Sequence, residues 1–275
     1  MARAVVRKIY NRTNRRHTKS PSEQLPQRLW LVDCTKREIT DWSADKSYLA
    51  LSYLWGNSHT ALQSMNREAK MRLLVNRELP QTIEDAIQAV LGLKHQFLWV
   101  DMICVSPEDK HHQIQQMHLI YENAIASIVT LDSPNADFGI YGISRPRCYK
   151  QISKKIKNFS LISVPPSIQA MCQASEWVRR GWTYQDALLS SRCIFFTRFE
   201  AYFTCREGTR RESIVASAPL QGAIGPQLLG ASVPYIPGER DPSDILLGAF
   251  VLSFDLYKQR HLSYEQDTLS AYKGI

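Results

Sequence analysis

Aromatic side chains and carboxylates stand in this sequence at spacings that could build a nucleotide-cleaving pocket. Trp182 and Asp186 are four residues apart in a segment that predicts a short helix, so both side chains share one helix face. Asp101 follows an apolar run. A second apolar run ends in the segment Ser52-Tyr53-Leu54-Trp55-Gly56. Cleavage of a base–ribose bond passes through a cation-like sugar, which needs an anion beside it and an aromatic wall for the base.

Each side chain of this set has an expected role. Asp186 would be the catalytic anion, and Trp182 or Trp55 would form the wall for the base. Gly56 would let the backbone approach a phosphate because it has no Cβ. The remaining expected substrate-pocket residues are Ser52, Tyr53, Asp101 and Arg180, and Asp132 is a further polar group at the end of a predicted strand.

The same residues also have ordinary structural explanations. The tryptophans of this set would be core residues in many folds. Asp101 could cap a helix or bind backbone amides. Asp186 could form an ion pair with Arg180 or Arg192. The residues alone leave these alternatives open.

The sequence offers little for other chemistries. His111, His112 and His118 lie close together but lack the i, i+4 spacing of a helical zinc site. The six cysteines form no C-x-x-C pair, which favours reduced thiols in a cytoplasmic protein. Walker A, G-x-G-x-x-G and G-x-S-x-G motifs are all absent. We therefore expect no metal and no bound cofactor.

The net charge of +8 belongs to one end of the chain. Residues 1–22 carry seven basic residues and no acid, which leaves 27 basic and 26 acidic residues elsewhere. Such a tail could contact RNA, anionic lipid or an acidic partner, or act as a mitochondrial presequence, although a disordered leader explains it as well. Because Tyr10 is its only aromatic residue, we expect no specific nucleic-acid binding. No apolar run reaches the roughly 18 residues of a membrane span.

The order of predicted elements favours an α/β fold around a parallel sheet. Nearly continuous apolar runs at 48–54, 97–100 and 127–131 predict strands buried on both faces. Helical periodicity at 82–92 and 114–125 predicts the helices that connect them. The other predicted elements are a strand at 25–32, a hairpin of 192–197 with 201–205, a helical stretch at 168–178, and C-terminal helices at 245–257 and 262–272.

These elements divide the chain into four parts. Residues 1–22 form the basic tail, and residues 23–205 form the domain. A loop or linker at 206–243, rich in Gly, Pro and Ser, precedes a C-terminal helical segment at 244–275. Within the domain, Thr82 and Asp85 predict a capping box, and Gly92 predicts a left-handed helix stop.

Several segments in one order resemble the fungal heterokaryon-incompatibility (HET) domain. The resemblance runs from about Tyr48 to Cys205 and is specific because the blocks occur together. It implies a protein of self/non-self recognition that triggers regulated cell death, with protein partners and self-association. The main blocks are Leu51-Ser52-Tyr53-Leu54-Trp55-Gly56, Leu79-Pro80-Gln81-Thr82-Ile83-Glu84-Asp85-Ala86, Leu98-Trp99-Val100-Asp101-Met102-Ile103-Cys104 and Arg180-Gly181-Trp182-Thr183-Tyr184-Gln185.

The HET domain is in turn similar to the Toll/interleukin-1 receptor (TIR) domain, whose fold is a flavodoxin-like parallel sheet. Some TIR domains hydrolyse NAD with a Glu four residues after a Trp, which is the spacing of Trp182 and Asp186 here. The resemblance therefore implies NAD(P) hydrolysis at the Trp182/Asp186 edge as an alternative function. This chain has Asp in place of Glu, which withdraws the carboxylate by one carbon–carbon bond, about 1.5 Å.

Overall fold

The structure is a computed structural model. It describes residues 25, 28–56, 60–205, 208–214, 251, 253–255, 257–262 and 268–272. The expected basic tail at 1–22 and most of the expected loop at 206–243 lie outside the described residues.

An eight-stranded sheet forms the centre of the domain. Its strands are β1 Trp30–Asp33, β2 Glu38–Asp41, β3 Tyr48–Ser52, β4 Phe97–Trp99, β5 Ser127–Thr130, β8 Arg192–Phe196, β9 Ala201–Cys205 and β10 Gly208–Arg211. Two more strands, β6 Ser153–Ile156 and β7 Phe159–Ile162, pair with each other in a separate hairpin. The order across the large sheet is β10-β9-β8-β5-β3-β4-β1-β2.

The four middle strands of this sheet are parallel. β3 pairs with β4 on one side and β5 on the other, and β5 pairs with β8. All five residues of β3 are buried, because helices cover both faces of a parallel sheet. Antiparallel pairs complete the two sides, with β1 and β2 at one end and β9 and β10 at the other. The predicted α/β fold with these interior strands and the predicted β8–β9 hairpin are confirmed.

Short helices lie between the strands. They are α1 Thr60–Ser64, α2 Arg67–Asn76, α3 Gln81–Gly92, α4 Asp101–Cys104, α5 Lys110–Gln115, α6 Met117–Asn123, α7 Ile168–Ala174, α8 Glu176–Arg179, α9 Gly181–Leu189 and α10 Thr268–Tyr272. The residues at 251, 253–255 and 257–258 are also helical. Helical residues therefore occur in both C-terminal segments that the sequence predicts as helices.

The prediction of one helix over 114–125 is wrong. The chain breaks at Gln116, whose φ of −109° and ψ of 7° end α5 before α6 begins. The side chain of Gln113 is buried, accepts a hydrogen bond from Ser106 N and donates one to Arg28 O. These contacts hold α5 against the preceding loop, while α6 packs on the sheet.

The predicted capping box of α3 is also wrong. Helix α3 begins one residue before Thr82, and its N-cap position is Pro80. Thr82 and Asp85 instead accept hydrogen bonds from Gly139 N and Ile140 N, so they hold the segment after β5. Gly92 is the last helical residue, and the left-handed backbone belongs to Lys94, with φ of 69°.

Part of the expected loop at 206–243 forms a strand. β10 pairs with β9 in register along all four of its residues. The sequence Gly208–Arg211 carries little apolar character, so its strand pattern is weak. A buried ion pair stabilises this strand. The Arg211 guanidinium donates to the Glu200 carboxylate, with 2.7 Å between Arg211 Nε and Glu200 Oε1.

Candidate functional site

The candidate site lies at the carboxyl edge of the parallel strands, where open α/β sheets bind ligands. Ser52 ends β3, and Tyr53 and Trp55 follow it. Asp101 comes two residues after the end of the neighbouring strand β4. The indole Nε1 of Trp55 donates a hydrogen bond of 2.9 Å to Oδ2 of Asp101. The structure therefore joins two of the sequence-predicted pocket residues directly.

Asp186 reaches the same edge from α9. Its side chain is 5% exposed, and its Oδ2 accepts a hydrogen bond of 2.6 Å from the Ser52 hydroxyl. The Ser52 oxygen itself accepts a hydrogen bond of 2.9 Å from the indole Nε1 of Trp177. A chain of hydrogen bonds thus runs from Trp177 through Ser52 to Asp186, entirely within the protein.

Burial raises the pKa of Asp186 to about 7. The hydrogen bond from Ser52 opposes this shift, and the negative charge of Asp101 adds to it. The nearby Tyr121 hydroxyl and the positive charge of Arg180 lower the pKa. Tyr121 donates to Leu51 O at 3.2 Å, and no described residue donates to Oδ1 of Asp186. Asp186 can therefore give or take a proton near neutral pH.

The pKa of Asp101 is also raised by burial, and the charge of Arg180 is the largest opposing influence. Its Oδ1 accepts a hydrogen bond of 2.7 Å from Met102 N in the first turn of α4. Asp101 therefore binds a backbone amide, which is the structural role considered for it above. It also contacts Trp55. Two carboxyl groups that each resist ionisation lie in one site.

Arg180 supplies the positive charge of the site. Its guanidinium carbon lies 5.5 Å from the centre of the Trp55 ring, which is a cation–π distance. Its charge lowers the pKa of both Asp101 and Asp186 without forming a direct ion pair with either in the described structure. The alternative partner, Arg192, instead donates to Ile125 O at 3.3 Å.

The backbone around Arg180 is held by the C-terminal segment. Gly181 N donates to His261 O at 2.9 Å, and His261 N donates to Arg179 O at 2.6 Å. The position that a Cβ of Gly181 would take lies 2.4 Å from Cδ2 of Leu262. Gly181 therefore permits a close contact between α9 and residues 261–262, which we call the C-terminal strap.

The site has a buried layer and a partly exposed layer. Ser52, Tyr53 and Asp186 are buried. The partly exposed side chains are those of Trp55, Asp101, Arg180 and Trp182. A molecule that approaches this edge of the sheet therefore meets aromatic rings, one carboxylate and one guanidinium before it reaches Asp186.

Two expected contributors have other surroundings. Gly56 has φ of 74°, and a Cβ there would lie 2.6 Å from Cβ of Asn135, so the close approach that it permits is to the protein itself. Asp132 accepts hydrogen bonds from the backbone and the guanidinium of Arg198, including one of 2.7 Å from Nη2. Asp132 is thereby occupied in an ion pair.

Sequence reasoning missed Trp177 and Tyr121. Both side chains are fully buried. Trp177 is linked to Asp186 through Ser52, and the Tyr121 hydroxyl lies beside Asp186. Trp177 lies in a segment whose sequence predicts a helix and nothing more. Tyr121 lies on the apolar face of a second predicted helix. Their polar atoms give no signal in the sequence, because their partners on β3 are 125 and 70 residues away.

Within the described ranges, no three His, Cys, Asp or Glu side chains form a group that could hold a metal ion. None of the helices described is long and apolar enough to cross a membrane.

Fold and site together define an α/β protein with paired acids at the carboxyl edge of a parallel sheet. The family model of the heterokaryon incompatibility protein (HET) matches residues 48–186, half of the chain. The chain belongs to this family. Comparisons with curated proteins and with solved structures gave no match.

Proposed function

We propose that this protein acts in heterokaryon incompatibility, the fungal self/non-self response, and that its HET domain triggers regulated cell death. The observation that carries the proposal is the extent of the family match. The match begins at Tyr48, the first residue of β3, and ends at Asp186. It therefore contains both carboxyl groups of the candidate site.

The electrostatics of the site support a functional role for these groups. Removing carboxyl groups from water lowers stability because it disfavours their charged forms, and the negative charge of Asp101 raises the pKa of Asp186 further. Arg180 offsets part of that penalty. Strongly perturbed acids in one site are typical of functional positions.

The proposal includes protein partners, self-association and a cytoplasmic location. The six cysteines are free thiols, and five of them are buried. Free thiols persist in the reducing cytoplasm, which supports this location.

Inducible expression in a fungal host tests the cell-death role. Expression of the full chain should reduce the viable fraction of cells, as measured by exclusion of a membrane-impermeant dye and by colony counts. A matched culture should express the same chain with Ser52→Ala and Asp186→Asn together. If both cultures remain viable at equal protein levels, the cell-death proposal is wrong.

NAD(P) hydrolysis remains the second candidate, because the partly exposed layer has the groups that a dinucleotide needs. The rings of Trp55 and Trp182 offer stacking surfaces, and Arg180 offers a cation for a phosphate. Asp186 would serve as the anion only in its ionised form, and burial raises its pKa to about 7, so that it gains this form only as pH rises toward the neutral range.

Nicotinamide release from NAD by the purified protein tests this second candidate. Asp186→Ala should abolish the release, and Asp186→Glu should keep or raise it because it restores the longer reach. If the native protein and Asp186→Glu both release no nicotinamide, NAD hydrolysis is excluded.

A further inference from the structure

The hairpin of β6 and β7 is exposed on both faces. Every residue from 150 to 162 is exposed, and the hairpin forms a sheet of its own beside the eight-stranded sheet. An isolated two-stranded hairpin is at best marginally stable in water, because neither of its faces is buried. A surface that covers one face would stabilise it.

Large apolar side chains stand on this hairpin. Ile152, Phe159 and Leu161 are 71%, 74% and 57% exposed. Ile156 lies directly opposite Phe159, so these two side chains are on the same face of the hairpin, and Leu161 shares that face. Contiguous exposed apolar groups of this kind mark interaction sites.

The hairpin is also strongly basic. Residues 138–175 contain six basic residues and no acidic residue. Four of the six are exposed lysines on the hairpin or at its base, namely Lys150, Lys154, Lys155 and Lys157. Apolar side chains among lysines fit a surface that is apolar inside and anionic at its boundary.

We propose that the β6–β7 hairpin docks on an anionic phospholipid membrane surface. Phe159 and Leu161 enter the boundary between headgroups and acyl chains. Lys154, which lies opposite Leu161 on the same face, and Lys157 at the turn lie over the anionic headgroups. A second copy of the hairpin is a poorer occupant, because it would bring four lysines against four lysines. Single-stranded nucleic acid is poorer as well, because Phe159 is the only exposed aromatic residue between 150 and 164.

The base of the hairpin is tied to the edge of the sheet that holds the candidate site. The Tyr149 ring packs on Phe199 with 6.2 Å between ring centres, and Cys148 N donates to Arg198 O at 2.8 Å. Arg198 and Phe199 follow β8, whose carboxyl end lies at the same edge as that of β3. Docking of the hairpin would therefore turn this edge of the domain toward the membrane.

Co-sedimentation of the full chain with lipid vesicles tests the proposal. We expect binding to vesicles that contain one third phosphatidylserine and little binding to pure phosphatidylcholine. Lys154→Gln with Lys157→Gln should weaken binding to the anionic vesicles about 25-fold, since each lysine near a membrane surface contributes about fivefold. Phe159→Ser should weaken it about tenfold.

Two matched variants control for general loss of charge and of apolar surface. Arg72→Gln with Lys94→Gln removes two exposed charges, and Val75→Ser removes an exposed apolar side chain, all away from the hairpin. Neither should change binding. Binding that the hairpin variants leave intact would overturn the proposal and assign the binding to the basic tail at 1–22. Equal binding to neutral vesicles, or no binding to either kind, would overturn it too, the latter in favour of an acidic protein partner.

Discussion

The Ser52 hydroxyl donates a hydrogen bond of 2.6 Å to Oδ2 of Asp186, although the two residues are 134 positions apart in the chain. Ser52 ends the parallel strand β3, and Asp186 lies in helix α9. Because Ser52 also accepts from Trp177, its oxygen is a junction between a buried indole and a buried acid.

Ser52→Ala should destabilise the protein by about 1–3 kcal/mol, because it leaves buried polar atoms of both Trp177 and Asp186 without this partner. Chemical denaturation at pH 7 measures the free energy of unfolding. Ser160→Ala, on the exposed hairpin, is the matched control and should change it by less than about 0.5 kcal/mol. Equal stability of the two variants would mean that the junction is energetically unimportant.

Asp186→Asn should change how stability depends on pH. The pKa of Asp186 is about 7 in the folded protein and 3.8 in an unperturbed state, so the folded protein binds this proton more tightly. Its contribution to the free energy of unfolding is complete below about pH 4 and is lost as pH rises through about 7, by roughly 4 kcal/mol.

A neutral Asn side chain does not titrate, so its contribution to the free energy of unfolding does not fall as pH rises. Relative to the native chain, Asp186→Asn should therefore become more stable as pH rises from 5 to 8, as measured by denaturant unfolding at each pH. Asp137→Asn, at an exposed position, should follow the native curve. A constant difference between Asp186→Asn and the native chain across this range would contradict the raised pKa.

Gly181→Ala should loosen the contact between α9 and the C-terminal strap. The new Cβ would meet Leu262, with 2.4 Å to Cδ2 and 2.8 Å to Cγ, and overpacking of this kind costs about 1–3 kcal/mol. Leu262→Ala in the same chain should recover much of the loss. A double-mutant cycle in thermal or chemical unfolding measures this coupling, and additive effects would show that the two residues do not contact each other.

The sequence carries enough information to predict the central sheet. The runs at 48–54 and 127–131 are apolar at nearly every position, because strands covered on both faces have no solvent-facing side chains. The placement of Ser52 and Asp101 at one edge follows from the parallel order of their strands. β10 could not be predicted because the charge of Arg211 is satisfied by an ion pair with Glu200 that only the folded chain creates.

The interior of the site could not be predicted in the same way. The partner of Asp186 depends on how α9 is placed beside the end of β3, and this placement is set by packing between segments far apart in the chain. Trp177, rather than Trp182, reaches Ser52 because the short helix α8 precedes α9 and places its indole inside the core. The contact of Gly181 with Leu262 in the C-terminal strap likewise has no signal in the sequence around either residue.

We propose that the HET domain triggers cell death through Asp186. The most direct test is the viable fraction of fungal cells after induced expression of the native chain, Asp186→Asn and Asp137→Asn at equal protein levels. We predict that the native chain and Asp137→Asn kill the cells, whereas cells that express folded Asp186→Asn survive. Killing by Asp186→Asn as complete as that by the native chain would contradict the account.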